Sequence, residues 1–563
     1  MKKILLPLFA CALLGAASCE SMLDIPQKGV VATEDFYKTD NDAKMALVAA
    51  YDQMATNYMA PYWNDNIIYS LWNYFGDDIY AAGENKTDGI NQNELHAFRY
   101  PTNNQFITVG YQSFFKSIYA ANLVIDNFKD KADTDIKKRA VAEALVLRSL
   151  SYLQLAIGWG TPPIVDHVLA ATDKPTNAES QEAVLDFIVS SIDEALPNLG
   201  NRQGSGDKNG IYRATKDLAN TIKGKALLWK GDYAGAQAAL KEVINSGNYK
   251  LIDDIAANFH VRGDGSPEKI FELNLVYSAS VDTYFHSQCN LSWYWNWRAS
   301  RVYIPTGVGS IMFNNGWGGI NASEKFIEAL LENDGYDSKR RKAWVLDYDE
   351  VLYEMPYATD GPEPVMGYTE AKAMDKERGI YHADGVYAHC GWFMMKVNIN
   401  AEDIKNSNNE RNTRIFRYPE VILMFAECAT QTGQDKELAL QLVQDIQNRA
   451  KSKTVWSSVA DVTLENVKKE KMIEMWLEGC RYQDLVRWGD TDELMDNGKS
   501  FPNFKDKINE GNATHEGYVD YSDADWCIKL YPELGFKKGK HELFPFPFSE
   551  MSVNENMKQN PGW

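Results

Sequence analysis

The charged side chains packed most densely at helical spacing lie in one stretch, Glu470 to Gly489. Glu474, Glu478 and Arg481 fall three or four residues apart, where helical side chains meet, and Asp484 stands three residues from both Arg481 and Arg487. Ile473, Trp476, Leu477 and Cys480 recur at helical spacing, which predicts a helix with one buried face. No nucleophile stands beside a base, and no spacing suits metal ligands. A purely solvated face would be worth only about 0.2–0.5 kcal/mol per pair. Trp476, Tyr482, Leu485 and Trp488 interleave with the charges, so the stretch reads as a half-buried ionic network that fixes helix packing.

Elsewhere the sequence offers little catalytic machinery. It has no HExxH, no GxSxG, no GxxxxGK(S/T) and no paired-glycine dinucleotide fingerprint. His96, His382 and His389 are read as ordinary polar residues. A glycosidase needs two carboxyls about 5–9.5 Å apart across the scissile bond, a separation set by the fold. The seven cysteines, at 11, 19, 289, 390, 428, 480 and 527, include no CxxC and suggest neither a zinc site nor a disulfide scaffold. Cys428 and Cys480 fall on apolar helix faces as small hydrophobes.

Aromatic residues offer another kind of chemistry, stacking. Trp72 beside Asp77 or Asp78 pairs an indole with hydroxyl acceptors, or else packs beneath its loop. Trp293, Trp295 and Trp297 have period two and share one face if the chain is extended, with Arg298 and Arg301 next to them. Those three indoles form either a buried strand or an exposed platform, and the polar flanks favour the platform.

A net charge of −20 opposes nucleic acid and basic-patch adhesion to anionic lipid. The 45% hydrophobic content is enough for a large core in 563 residues. Residues 1–18 read as an export signal: Lys2 and Lys3, then the apolar run Ile4–Leu14, then Ala16-Ala17-Ser18. The run is too short to span a bilayer as a helix. Cys19 follows directly, and residues 19–40 read as a polar tether.

The elements that must position these groups are mainly helical. Helices are expected over Asp42–Tyr58 with Met45, Leu47, Val48 and Tyr51 buried, then over Tyr111–Phe128, Asp135–Ile157, Gln181–Leu196, Lys216–Lys230, Ala234–Asn245, Tyr418–Thr432 and Lys436–Lys451. Gly158 and Gly160 are expected to stop the third. In the joint Gly231–Ala236, Gly235 and Ala236 should admit a close helix approach, with Leu240 filling the gap. Paired helices of this kind stack into a solenoid. Residues 251–417 interrupt the pattern with glycine, aromatics and short β-type runs, including Phe271–Tyr277. The scaffold is thus expected over about 41–250 and 418–563, with 251–417 as an irregular insertion in a single domain.

Several of these motifs together resemble the SusD/RagB family. Glu470, Lys471, Glu474, Glu478, Gly479, Arg481, Asp484, Leu485 and Arg487 match its E-(R/K)-x-x-E-L-x-x-E-G-x-R-x-x-D-L-x-R signature, with Met475 in place of Leu. Leu23-Asp24-Ile25-Pro26 is similar to its opening, and Cys19 to a lipobox cysteine with Ala16 where Leu is usual. Phe114, Phe115, Ile118, Asn122 and Ile125 resemble one helical pattern of the family, and Glu143, Ala144, Leu147, Arg148 and Tyr152 another. Arg340-Arg341 resembles its double-arginine loop, and Leu543–Glu550 with Gln559-Asn560-Pro561-Gly562-Trp563 its ending.

The resemblance implies a tetratricopeptide-like solenoid with a loop-rich insertion, lipidated at Cys19 and held on the outer face of the outer membrane. It implies a protein that binds an oligosaccharide and passes it to a SusC-type TonB-dependent transporter, without catalysis. Trp72, Asp78, Trp293, Trp295, Trp297 and Arg301 are the expected glycan-binding residues. No cofactor is called for, a structural Ca²⁺ being left open. The rival readings are a surface glycoside hydrolase and a transporter lid binding a non-glycan nutrient such as peptide.

Overall fold

The computed structural model describes residues 36–59, 61–62, 65–81, 89–207, 209–274, 308–310, 318–347, 357–359, 392–398, 403–405, 408–409, 411–497 and 534–563. Cys19, Trp293, Trp295, Trp297 and Arg301 lie outside them. The helices are α1 (Asp40–Met59), α2 (Ile67–Asn73), α3 (Ile90–His96), α4 (Gln105–Phe128), α5 (Asp135–Trp159), α6 (Gln181–Ala195), α7 (Lys216–Lys230), α8 (Tyr233–Asn245), α9 (Glu324–Asp334), α10 (Lys339–Trp344), α11 (Tyr418–Thr432), α12 (Lys436–Ala450), α13 (Leu464–Glu474), α14 (Arg481–Trp488) and α15 (Phe548–Met551).

Neighbours in sequence pack as neighbours in space. α4 lies on α1 and α5, α6 joins α5 to α7, α8 joins α7 to α11, and α11 packs on α12 and α13. This is the helical-pair solenoid expected from the sequence. Most of these helices begin at a Ser, Thr, Asn or Asp whose side chain accepts a first-turn N–H: Asn104, Thr134, Ser180, Thr215, Asp232 and Thr463. α5 is long and apolar enough to cross a bilayer, yet every residue of its most apolar stretch is buried in the protein, so it is the core helix.

Local details differ from the expectation. α1 starts earlier than Asp42, because Thr39 Oγ1 accepts from Asp42 N while Asp42 Oδ2 accepts from Thr39 N at 2.7 Å. Its buried face is Ala43, Ala46, Leu47, Ala50 and Met54, whereas Met45 and Val48 are 52% and 65% exposed. Small alanines let α4 and α5 come close, so size rather than hydropathy chose the face. α5 continues through Gly158 and ends at Gly160, whose φ is 72°. At the α7–α8 joint the close approach belongs to Gly224, where a Cβ would sit 2.7 Å from Leu240 Cδ2; Gly235 instead makes room for the capping carboxyl of Asp232.

Residues 251–417 are not wholly irregular, since they hold α9 and α10. Their two ends are zipped together where Lys269–Leu273 pairs antiparallel with Thr413–Arg417. A second ladder, Ile79–Ala81 with Ile320–Ala322, fastens the insertion to the segment after α2. The C-terminal residues are a clamp on α5. Asn560 Nδ2 donates to Trp159 O and Phe544 O at 3.0 and 2.7 Å, and Trp159 Nε1 donates to Pro545 O at 2.9 Å.

Candidate functional site

The signature stretch is two helices rather than one. α13 stops at Glu474, the chain turns through Met475–Cys480, and α14 starts at Arg481. Leu477 has φ 58° and Gly479 φ 78°, both left-handed, which α-helix cannot hold. Gly479 is confined from two sides. Its N–H donates to Asn73 Oδ1 at 2.9 Å, and a Cβ there would lie 3.0 Å from Trp72 Cβ. The turn therefore seats α2 against the scaffold, and glycine permits it.

The break also aims Glu474 and Glu478 inward. Arg417 Nη1 reaches Glu268 at 2.6 Å and Glu474 at 3.2 Å, while its Nη2 reaches Glu478 at 2.5 Å. Arg449 bonds Glu268 and Glu474, each at 2.7 Å. Arg340 bonds Asp334, Glu470 and Glu474 at 2.7, 2.5 and 3.0 Å, and Lys396 Nζ bonds Glu478 at 2.8 Å. Burial raises the Glu478 carboxyl, but Arg417 and Lys396 more than reverse this and hold it at about 2. Arg449, Arg417 and Arg340 likewise overcome burial and hold Glu474 well below the usual carboxylate range. Arg340 and Arg417 are fully buried, so the network is more deeply enclosed than expected. It ties α13 to the neck of the insertion through Glu268 and Arg417, and to α9 and α10 through Asp334 and Arg340.

Trp72 belongs to this keystone and not to a surface. It is 4% exposed, with its ring centroid 5.4 Å from Phe544 and 6.4 Å from Tyr482. The bare Cα of Gly158 gives it room. Its expected role as a stacking face is thereby corrected: α2 points inward, and no sugar ring can lie on a sealed indole. Asp78 is also corrected as a hydroxyl acceptor, being 3% exposed. Its carbonyl accepts from Trp476 Nε1 at 3.0 Å and from Ser323 N at 3.2 Å. Asp77 takes both nitrogens of a forked Arg481, at 2.6 and 2.9 Å, and is also paired with Lys325.

Burial and the adjacent Asp77 raise the Asp78 carboxyl to about 7. A carboxyl whose folded value lies above its unfolded one stabilises the fold when protonated. That contribution is complete below about 4 and is lost as pH rises through 7. Asp78→Asn should therefore be more stable than the parent at pH 8, by on the order of 2 kcal/mol, the shift itself setting an upper bound of about 4. The advantage should vanish below about pH 4. Urea midpoints of both proteins across that range check this, and a pH-independent difference would refute it.

Beside Trp72 lies a cavity of about 120 Å³, where α2 and the turn meet the neck strand. Tyr58, Trp72, Lys225, Arg414, Glu420 and Gln483 are on its wall. Among the described residues, Trp72 Nε1 and Gln483 Oε1 find no partner. The space is below the roughly 300–1,000 Å³ typical of ligand pockets, so it cannot seat an oligosaccharide. Among the described residues no group of three His, Cys, Asp or Glu is placed to hold a metal ion.

Sequence reasoning found half of the keystone. Glu470, Glu474, Glu478 and Arg481 carry a helical-spacing signal, but Arg417, Arg449, Glu268 and Lys396 have none, because their partners are distant in sequence. The described residues run to Asn274, just beyond the neck strand, and Trp293, Trp295, Trp297 and Arg301 lie outside them.

Two family models match the chain: one described as the SusD family over residues 267–563, and one described as starch-binding associating with outer membrane over residues 28–197. SusD-like protein P38 of Formosa agariphila is 26% identical over 502 residues, covering 85% of this chain and 90% of that protein. A SusD-like protein of Bacteroides ovatus is 22% identical over 596 residues, covering 100% and 98%. Among solved structures, a laminarin-binding SusD-like protein is 23% identical with TM-score 0.69, covering 94% of this chain and 100% of that one. Surface glycan-binding protein A from Bacteroides thetaiotaomicron in complex with laminarihexaose is 20% identical with TM-score 0.70, covering 93% and 100%. At these identities the likeness is one of fold.

Proposed function

The chain belongs to the SusD family, and from that premise we propose that it captures an oligosaccharide at the outer cell surface and hands it to a SusC-type TonB-dependent transporter. The observation that carries the reading is the family match across 267–563, reinforced by similarity to proteins described as binding laminarin and surface glycans. The leader and Cys19 fit a lipid anchor: acyl chains at about 0.8 kcal/mol per buried CH₂ hold a protein on a membrane. The helical solenoid offers the transporter a stiff surface, and loops carried on such a scaffold are where binding groups concentrate.

Trp293, Trp295 and Trp297 are the stacking face in this reading, and Arg301 is a hydroxyl partner. Indole faces bury the C–H face of a pyranose at about 25 cal/mol per Å². With Trp72 and Asp78 sealed in the core, capture falls to this segment of the insertion. In this reading the ligand leaves intact.

Calorimetric titration of the mature chain with laminarihexaose, maltohexaose, cellohexaose and mannohexaose tests the reading. At least one should bind, and Trp295→Ala should weaken it about tenfold or more, as truncating a central aromatic anchor does, with an unchanged melting temperature. Binding of none, or release of new reducing ends from the oligosaccharide, would overturn it.

A further inference from the structure

The cavity beside Trp72, too small for an oligosaccharide, is walled by polar groups that the fold itself leaves unsatisfied. Arg414 on the neck strand, Gln154 on α5 and Gln483 on α14 all line it, so three separate elements converge there. Gln154 is 7% exposed, and its amide has no hydrogen-bond partner among the described residues. Both of its polar atoms are nevertheless accessible, unlike Trp72 Nε1 and Gln483 Oε1, which are sealed. The accessible end of the Gln483 amide is its Nε2, which is likewise unpartnered among the described residues.

Arg414 is the cation left over. The wall carries Lys225, Arg414 and Arg417 against Glu420 and Glu478, three cations to two carboxylates. Lys225 Nζ bonds Glu420 at 3.0 Å, and Arg417 Nη2 bonds Glu478 at 2.5 Å. Arg414 forms no ion pair and no hydrogen bond through its side chain among the described residues, and none of its nitrogens is sealed. Its guanidinium lies over the Phe259 ring, 4.4 Å from the centroid. A guanidinium stacked by its face keeps the N–H groups of its edge for another partner. Glu478, Glu272 and Asp264 act on it only through space. Glu478 is already held by Arg417 and Lys396, and Glu272 by the Gly265 N–H.

Such a wall is completed by one negative charge with little bulk. The guanidinium fork matches a carboxylate through two parallel N–H···O bonds, and the Gln154 and Gln483 amides are further donors. Ile68, Ile415 and Leu477 give the same cavity an apolar side for a short alkyl tail. A volume of about 120 Å³ takes roughly four to six non-hydrogen atoms, since benzene fills a cavity of about 150 Å³. A phosphate would bring a second charge against Glu420 and Glu478. We propose that this cavity binds a small carboxylate, of the size of acetate or propionate, with Arg414 as its counter-ion. Bound there, the ligand ties α5, α14 and the neck strand together and braces the insertion on the scaffold. The proposal does not depend on glycan capture. So small a ligand binds weakly, with Kd on the order of 1 mM.

Sodium propionate, sodium chloride at equal ionic strength and the neutral isostere propionamide test it, each titrated into the mature chain while the melting temperature and the saturation-transfer NMR signal of the propionate methyl group are followed. Propionate should raise the melting temperature in a saturable way and give a transfer signal, and the other two should do neither. Arg414→Gln should weaken propionate about tenfold or more. Gln154→Glu is the second variant, because it carries a carboxylate into the cavity in place of the ligand. It should melt with or above the parent at neutral pH and lose the response to propionate. Equal effects of propionate, chloride and propionamide would overturn the site, leaving it to water alone. A propionate response undiminished in Gln154→Glu would overturn it as well, even if Arg414→Gln fails to fold.

Discussion

Arg417→Ala should destabilise the protein by about 3–5 kcal/mol, the cost of removing one member of a buried ion pair and leaving an excess of enclosed negative charge. Arg417 pairs with all three of Glu268, Glu474 and Glu478. Arg449, Arg340 and Lys396 would then face Glu268, Glu474 and Glu478 together with Asp334 and Glu470, three cations against five enclosed carboxylates. The loss should be nearly insensitive to salt, because screening acts weakly on enclosed charges. It should also be partly relieved by adding Glu478→Gln, which removes one of the stranded anions. Urea unfolding of the three proteins at low and high salt measures both effects. A loss under about 1 kcal/mol, or one that salt abolishes, would mean that solvent reaches the cluster and that the network is a surface ornament. Because Arg417 ends the neck strand, early proteolysis within 251–417 should accompany the loss.

Trp72→Ala should cost a similar about 3–5 kcal/mol, the range for truncating a buried aromatic. The void left by the indole would merge with the existing cavity of about 120 Å³ that Trp72 already lines, and such sites relax poorly when Gly158 and Gly479 have been shaped to the ring. Trp72→Phe should lose much less, since a ring would still meet Phe544 and Tyr482. Hexaose affinity of the folded variant should match the parent. Thermal melts and titration together decide the matter. Weakened sugar binding with an unchanged melting temperature would return Trp72 to the ligand site and contradict its burial.

The opposite fates of Trp72 and Glu474 show what periodicity conveys. Spacing identified a helical, charge-bearing stretch at 470–489, yet the apolar residues stay in phase across the break at 475–480. The break shows in the left-handed backbone of Leu477 and Gly479, and Gly479 is fitted to Asn73 and Trp72 arriving from about 400 residues away. Likewise, the hydropathy of Met45 and Val48 suggested a buried face, while the close approach of α4 and α5 selected the alanines instead. Trp72 beside two aspartates read equally as platform or core, because an indole contributes area to either.

By itself the sequence determined the class of fold, the order and most limits of the helices, and the family, since capping residues, glycine stops and helical periodicity are local signals. Only the tertiary structure decided which carboxylate meets which guanidinium, that Trp72 and Asp78 are sealed, and that Arg414 is left without a carboxylate among the described residues. Those are matters of contact between segments far apart in the chain, where burial and dielectric set the energy and no local spacing records the partner.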